Sequence, residues 1–270
     1  MAGMSRAHAA PPTTMSDLRL SLASLLPKVS RRFPARLANL ALWVECRDWL
    51  RAGHYLAAPR RLRLERARRA CNGADDMFDF AQSVFPAHQI RSEILAFLAL
   101  ARDFRPKTVL EIGTADGGTQ FLLGSALPEA TLVLGLDLFV QNRRLLRHFG
   151  RPGCRQEFVD GSSHSAATAD RIRGILDERR LDVLFIDGDH TLDGVRDDFE
   201  RYAPFVRPGG LVAFHDIVPD HRTRYGRNTG RYSGDVPKFW QEIRGTFPRT
   251  WEFIADPGQD GLGIGVGCLA

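Results

Sequence analysis

No two of Cys46, Cys71, Cys154 and Cys268 fall at CxxC spacing, which argues against a zinc knuckle and leaves no disulfide framework to read. Scattered, reduced thiols fit a cytoplasmic protein. No apolar run approaches the roughly 18 to 20 residues a helix needs to cross a bilayer, so no transmembrane segment is expected. The opening residues, MAGMSRAHAAPPTTMSDLRLSLASLLPK, are rich in Ser, Ala and Arg and poor in acids. They lack the continuous apolar core of a secretory signal, and organelle targeting is the remaining alternative. Internal repeats are absent too.

What is present suffices for one sizeable α/β domain plus an extension within 270 residues. The net charge of +5 is unevenly spread: residues 1–70 carry 14 Lys and Arg against 4 Asp and Glu, leaving 23 against 28 for residues 71–270. The expected division is a basic, partly disordered and partly helical extension over 1–71 and the main domain over 72–270. Nucleic acid is then a conceivable partner of the arm but not an obvious substrate of the domain. Residues 1 to about 35 have several prolines and few periodic apolar positions, the pattern of a mobile tail. From Pro34, the positions Leu37, Leu40, Ala41, Val44 and Trp49 form one face of a helix, and RRLRLERARRA at 60–70 reads as a second, strongly basic one. A packing or oligomerisation arm with a solvated Arg face is the plain reading, which leaves a homo-oligomer open. An anionic partner such as RNA or a phospholipid surface is the alternative.

The NGADDMFD stretch from Asn72 to Asp79 reads as a loop at the domain boundary. Ile90, Ile94, Phe97, Leu98 and Ala101 define an amphipathic helix that ends before Pro106. Strand and helix patterns then alternate, with strands at Thr108 to Ile112, Thr131 to Leu136, Glu157 to Val159, Leu181 to Ile186 and Leu211 to Phe214. Such alternation predicts an α/β, doubly wound, mostly parallel sheet. Between the last two strands, Val195, Phe199, Tyr202 and Val206 recur at helical spacing, and Pro208-Gly209-Gly210 is expected to end that helix. Trp251 to Ile254 and the glycine-alternating run from Leu262 to Cys268 read as two further strands, the second with one packed and one bare face. Their short connection has no room for a crossover helix, so they should pair antiparallel.

A right-handed crossover brings the ends of consecutive parallel strands to one carboxyl edge, where open α/β sheets bind ligands. Asp187-Gly188-Asp189-His190 ends one strand there and His215-Asp216 ends the next. Upstream, Glu111-Ile112-Gly113-Thr114-Ala115-Asp116-Gly117-Gly118 is a strand entering a glycine turn, which lets a ligand approach the backbone. It is neither the GxGxxG dinucleotide fingerprint nor a P-loop. Asp137, 26 residues after Glu111, is placed to accept from both hydroxyls of a ribose. Gly161-Ser162 after the third strand suits the edge of an adenine. The segment from His215 to Gly234 is long and rich in Arg and Gly, the mark of a lid or binding loop, in which Arg222, Arg224, Arg227 and Arg231 could meet an anionic group.

Together, Glu111 to Gly118, Asp137, Gly161-Ser162 and the Asp187 and Asp216 strand ends resemble the class I S-adenosylmethionine-dependent methyltransferases, in the branch of small-molecule O-methyltransferases related to catechol, macrocin and cephalosporin-pathway enzymes. The likeness covers about residues 88 to 270. It implies a Rossmann-like, seven-stranded methyltransferase fold with an antiparallel last strand, and S-adenosyl-L-methionine as cofactor. It implies that Glu111, Gly113, Thr114 and Gly117 hold the methionine end, Asp137 the ribose, and Gly161 and Ser162 the adenine. It further implies, as in many members, a divalent metal (Mg, Mn or Fe) on Asp187, His215 and Asp216, with Asp187 and His190 as catalytic groups and His190 as general base. His215 departs from the family pattern, which often has an acid there, and imidazole favours metals softer than magnesium.

The expected function is therefore methyl transfer from S-adenosylmethionine to a hydroxyl of a small-molecule or glycan acceptor, with metal assistance left open. Two rivals stay open: an RNA methyltransferase docking through the basic arm, and a non-haem iron hydroxylase-like enzyme using His190, His215 and an Asp.

Overall fold

The computed structural model describes residues 34–270. The tail expected at the start of the chain falls outside the described residues up to position 33. Helices α1 (Pro34–Leu56), α2 (Arg60–Ala70), α3 (Ala74–Val84) and α4 (Arg91–Asp103) precede the sheet. Then follow β1 (Thr108–Ile112), α5 (Gly118–Ala126), β2 (Leu132–Asp137), α6 (Arg143–Phe149), β3 (Arg155–Asp160), α7 (Ala166–Leu176), β4 (Leu181–Ile186) and α8 (Leu192–Tyr202). The chain continues through β5 (Val206–His215), α9 (His221–Tyr225), α10 (Val236–Ile243), β6 (Arg249–Phe253) and β7 (Ile264–Cys268). Residues Arg47–Ala270 form one compact unit.

The seven strands pair in the order β3-β2-β1-β4-β5-β7-β6. All pairings from β3 to β5 are parallel, and β7 runs antiparallel to both β5 and β6. This is the doubly wound sheet with an antiparallel last strand that the alternation of patterns predicts. Because strand side chains alternate, Val183 and Phe185 of β4 enter the core on one face, under α3, α4 and α5. Leu184 and Ile186 enter the core on the other, under α7, α8 and α10. Both layers are apolar and closed, and each fully buried Leu, Ile or Phe contributes about 1.5–3 kcal/mol.

Three expectations are corrected. The stretch from Asn72 to Asp79 is a loop only as far as Gly73; α3 starts at Ala74, with Asp75 and Asp76 in its first turn and Phe78, Ala81 and Val84 buried. Acids at a helix start and apolar spacing of three to four residues were the overlooked signals. Pro208-Gly209-Gly210 does not end a helix, since α8 stops at Tyr202 and these residues lie inside β5. A register shift opposite β4 between Leu181 and Val183 and the positive φ of Gly209 (71°) mark a bulge, the setting in which a sheet tolerates proline. Third, Trp49, expected on the packed face of α1, is 64% exposed.

The glycine face of β7 is occupied rather than bare. A Cβ on Gly265 would come within 2.6 Å of the Trp240 ring, and one on Gly267 within 2.4 Å of Phe247. The glycines are the floor on which the two aromatic side chains lie. A second long-range tie comes from Glu93 of α4, only 1% exposed. Its carboxylate accepts from the amides of Ala255 (3.0 Å) and Gly263 (3.0 Å) and from Gln259 Nε2 (2.7 Å). It thereby pins the β6–β7 connection. Even the basic α2 contributes inward: Arg68 Nε donates to the Phe149 carbonyl at 3.0 Å.

Overpacking a close-packed core costs about 1–3 kcal/mol, and each kcal/mol moves the midpoint of a chain this size by about 2–4 °C. Gly265→Val should lower the thermal midpoint by several degrees in calorimetry. Gly174→Ala in α7, where nothing lies within 4 Å of the added Cβ, should raise it slightly, the helix gaining about 0.5–1 kcal/mol.

Candidate active site

The parallel strands deliver the polar residues in a row along the carboxyl edge, and their order follows the sheet: Asp160 to Ser162 after β3, Asp137 at β2, the glycine turn after β1, Asp187 to His190 after β4, and His215-Asp216 at β5. The row divides into a glycine-lined half and an ionisable half, meeting where β1 adjoins β4.

In the first half, Gly113 (φ 87°) is pressed against β4: a Cβ there would lie 1.8 Å from the Asp187 carbonyl oxygen. No side chain fits, so only glycine joins the turn to the sheet. Gly117 (φ 86°) caps α5, and Thr114 turns its hydroxyl inward to the Leu136 carbonyl at 3.4 Å. Glu111 is 1% exposed and its Oε2 has no hydrogen-bond partner. Burial pushes its carboxyl well above the usual range, and repulsion from Asp187 and Asp137 adds to this. Asp137 accepts from the Ala115 amide (2.9 Å) on one oxygen and the Phe139 amide (3.2 Å) on the other. Burial nevertheless raises its pKa, and lone pairs remain on both oxygens. Gly161 lies under Thr168, and Ser162 is exposed, its Oγ accepting from the His164 amide at 3.3 Å.

The ionisable half is tightly joined. His215 Nδ1 donates to Asp187 Oδ1 at 3.0 Å and lies 3.4 Å from Asp216 Oδ2. His190 Nε2 is 3.6 Å from Asp187 Oδ1, and its Nδ1 is 3.5 Å from Asp216 Oδ2. The His190 Nδ1–H donates to the Tyr232 carbonyl at 2.8 Å. Burial opposes charge on all four groups, but mutual attraction prevails. The two histidines hold Asp187 and Asp216 below the usual carboxylate range. In return, His190 is pushed up to about 9 and His215 is raised well above its ordinary value.

Asp216 adopts φ 65°, unusual for a non-glycine residue, because its Oδ1 is held by the Leu262 amide at 2.8 Å and the Ser233 hydroxyl at 3.3 Å. Such strain clusters at functional sites. The segment after it is not structureless as expected. Buried Asp220 caps α9 through the Thr223 amide (2.7 Å) and accepts from the Ser233 amide (2.8 Å), folding the loop back over the acids. Tyr232 then lies parallel to His190, ring centroids 6.0 Å apart. Of the four arginines in the segment, Arg224 is tied to the Pro257 carbonyl at 3.0 Å, whereas Arg222, Arg227 and Arg231 point to solvent.

Among the described residues, Asp187, His190 and Asp216 are the group that could hold a cation, each offering an atom within 4.8 Å of the others. His190 belongs to that group, and His215 lies beside it. The Nδ1 of His215 is committed to the carboxylates, and its Nε2 is buried without a partner. The converging set has one histidine and two acids, not the two histidines of an iron facial triad. Sequence reasoning missed Gln89, whose Nε2 donates to Asp187 Oδ2 at 3.1 Å across 98 positions of chain, and His88, 3.0 Å from Asp116. No local pattern announces contacts of that range.

The comparisons with known proteins agree with this layout. Residues 110–217 match the family model of a methyltransferase domain. With the sheet order, that match makes this part of the chain similar to the S-adenosylmethionine-dependent methyltransferases. Among solved structures the fold is similar to an O-methyltransferase from Bacillus cereus in complex with S-adenosylhomocysteine, at 19% identity and TM-score 0.51, over 73% of this chain and 90% of that one. It is also similar to a putative caffeoyl-CoA O-methyltransferase from Staphylococcus aureus, at 17% identity and TM-score 0.54, over 77% and 98%. An uncharacterized protein of Acanthamoeba polyphaga mimivirus is 32% identical over 117 residues, 40% of this chain and 51% of that protein. The chain spans about half the length of that relative and 18% of a second, from Sinorhizobium fredii. No helix among the described residues is long and apolar enough to cross a membrane.

Beside the cofactor half, His164 Nε2 lies 3.4 Å from Asp198 Oδ1, and Tyr202 OH donates to the Ser163 carbonyl at 2.9 Å, so the β3–α7 loop is clipped to α8. The neighbouring Asp198 carboxylate raises the His164 pKa against the opposing effect of burial. A raised histidine stabilises fully below its unfolded pKa, about 6.5, and that contribution is lost as pH rises through the folded value. Wild type should therefore lose more thermal stability than His164→Gln as pH is raised from 6 through the alkaline range, in a melt series at constant ionic strength.

Proposed function

We propose that this chain transfers a methyl group from S-adenosylmethionine to a hydroxyl of a small molecule. One observation carries the reading: the buried, unpartnered Glu111 and the Gly113 turn stand directly against the Asp187/His190/Asp216 cluster, so a cofactor cradle and an acid–base cluster share one wall. The residues fit the cofactor. The turn has no Cβ that could block approach to its backbone, Glu111 has an acceptor oxygen to offer, and Asp137 keeps lone pairs for a ribose. Gly161 and Ser162 would border the adenine. When bound, the sulfonium cofactor supplies an electrophilic methyl group.

The chain's own task is alignment and proton removal. The loop folded by Asp220 packs against the ionisable half, and His190 Nε2, once the ring has shed the proton that Asp187 and Asp216 favour, is the atom that would take the hydroxyl proton of the acceptor. Asp187 and Asp216 would offset the charge His190 gains. Alternatively to a proton, the same three side chains would hold a divalent cation that acidifies the acceptor hydroxyl. Two carboxylates and an imidazole suit manganese or iron better than magnesium.

Titration calorimetry with S-adenosylhomocysteine tests the reading. Wild type should bind, and Asp137→Ala should bind about tenfold to a hundredfold more weakly, the loss of hydrogen bonds to a charged group. Undiminished binding by Asp137→Ala would count against it. For the cation, manganese titration followed by electron paramagnetic resonance should show one bound ion in wild type and none in Asp216→Asn.

A further inference from the structure

None of the residues assigned to the site belongs to α1, α2 or α6, yet these three helices share a surface of unusual composition. α2 carries six arginines and one glutamate and buries none of its residues, and α6 has three arginines and no acid. Direct contacts bring the helices together. Arg144 Nη1 of α6 donates to Asp48 Oδ2 of α1 at 2.7 Å, and its guanidinium lies 3.9 Å from the centroid of the Trp49 ring. Four residues on, and so on the same face of α6, His148 Nε2 is 3.0 Å from Glu65 Oε1 of α2. One turn of α6 thus anchors both α1 and α2.

Around that anchor, large apolar side chains and unpaired cations face outward. Trp49 is 64% exposed, Leu50 76% and Leu62 52%, an apolar grouping of the kind that marks a contact surface. On α2, Leu64 packs inward against the core, so Leu62 and Arg66, four residues apart, lie on the opposite side. Glu65 is shared between Arg61 and Arg69, at 3.7 Å from each. Arg63, Arg66 and Arg147 are exposed and form no ion pair with a described residue. Their charge calls for an anionic partner, and the leucines call for an apolar one.

A nucleic acid would meet the arginines but gain little from two aliphatic side chains, and one face of the Trp49 ring is already covered by Arg144. A second copy meeting the first through the same patch would set Arg63, Arg66 and Arg147 against their own counterparts. A bilayer with anionic headgroups satisfies both demands at once: tryptophan and leucine settle at headgroup level, and arginine meets the phosphates. We propose that this surface docks the protein on an anionic phospholipid bilayer, with Leu50, Leu62 and the edge of Trp49 in the interfacial layer and Arg63, Arg66 and Arg147 on the lipid phosphates.

Flotation of the full chain with vesicles tests this. The protein should bind vesicles of equal parts phosphatidylcholine and phosphatidylserine, ignore vesicles of phosphatidylcholine alone, and dissociate as salt is raised. Each arginine near an anionic surface strengthens binding about fivefold, so Arg63→Gln combined with Arg66→Gln should weaken it roughly twentyfold. Leu50→Ser combined with Leu62→Ser leaves the charge unchanged and should weaken binding about tenfold or more. Thermal melts establish that both double variants are folded. Equal binding to the two kinds of vesicle, binding to neither, or undiminished binding by either double variant overturns the assignment. So does either rival outcome without vesicle binding. One is a salt-dependent affinity for single-stranded RNA that the arginine variant loses and the leucine variant keeps. The other is a dimer in sedimentation that the leucine variant converts to monomer.

Discussion

Two carboxylates end adjacent strands in the interior of this edge, and their charges must be offset there. Asp187 and Asp216 are neutralised by His190 and His215, and removing one member of such a buried set typically costs about 3–5 kcal/mol. Much of the surrounding architecture follows from that requirement. Asp216 accepts a strained backbone angle to bring Oδ2 to the histidines while Oδ1 is tied to Leu262 and Ser233. The Asp220 loop folds back so that the Tyr232 carbonyl can fix the His190 ring, and Gly234 is without a side chain because a Cβ would fall 2.2 Å from the His190 carbonyl oxygen. Charge balance without a metal makes the cluster self-sufficient, so a cation entering it has to compete with protons.

The glycine-lined half obeys a steric constraint instead. β1 and β4 are neighbours, and the turn after β1 can pass the end of β4 only with hydrogen at Gly113. The same close passage brings Glu111 under the electrostatic influence of Asp187. The glycine-lined and ionisable halves of the edge thus share one wall. The likeness to solved O-methyltransferases extends to the fold; the details of this wall belong to the chain's own residues.

What the sequence made legible was whatever is written at short range. Buried strands appear as apolar runs, the glycine turn as a cluster, and the strand-end acids as abrupt breaks, so five parallel strands, the antiparallel end and the edge occupied by Asp137, Asp187, His190, His215 and Asp216 could all be expected. Long-range partners escaped. Gln89 contacts Asp187 and Glu93 contacts Gly263 across 98 and 170 positions, and neither residue differs locally from an ordinary polar side chain near a helix start. Pro208-Gly209-Gly210 misled for a related reason: turn residues announce a break in regular geometry, but only the neighbouring strands decide whether the break is a terminus or a bulge. The orientation of the His190 ring likewise escaped, because the Tyr232 carbonyl that holds it lies far along the chain.

The placement of β7 has a further consequence for how the chain acquires its structure. It follows β6 in sequence yet lies between β6 and β5, so β6 has no sheet to join until β7 has arrived. During folding, the parallel half can assemble as each helix returns its strand, whereas the last two strands must dock together as a hairpin. A premature stop between Phe253 and Leu262 would therefore remove two strands' worth of order rather than one. It would also strip the cover from the Trp240 side of the core and release the amide that holds Asp216, linking the integrity of the sheet's far edge to the geometry of its catalytic end.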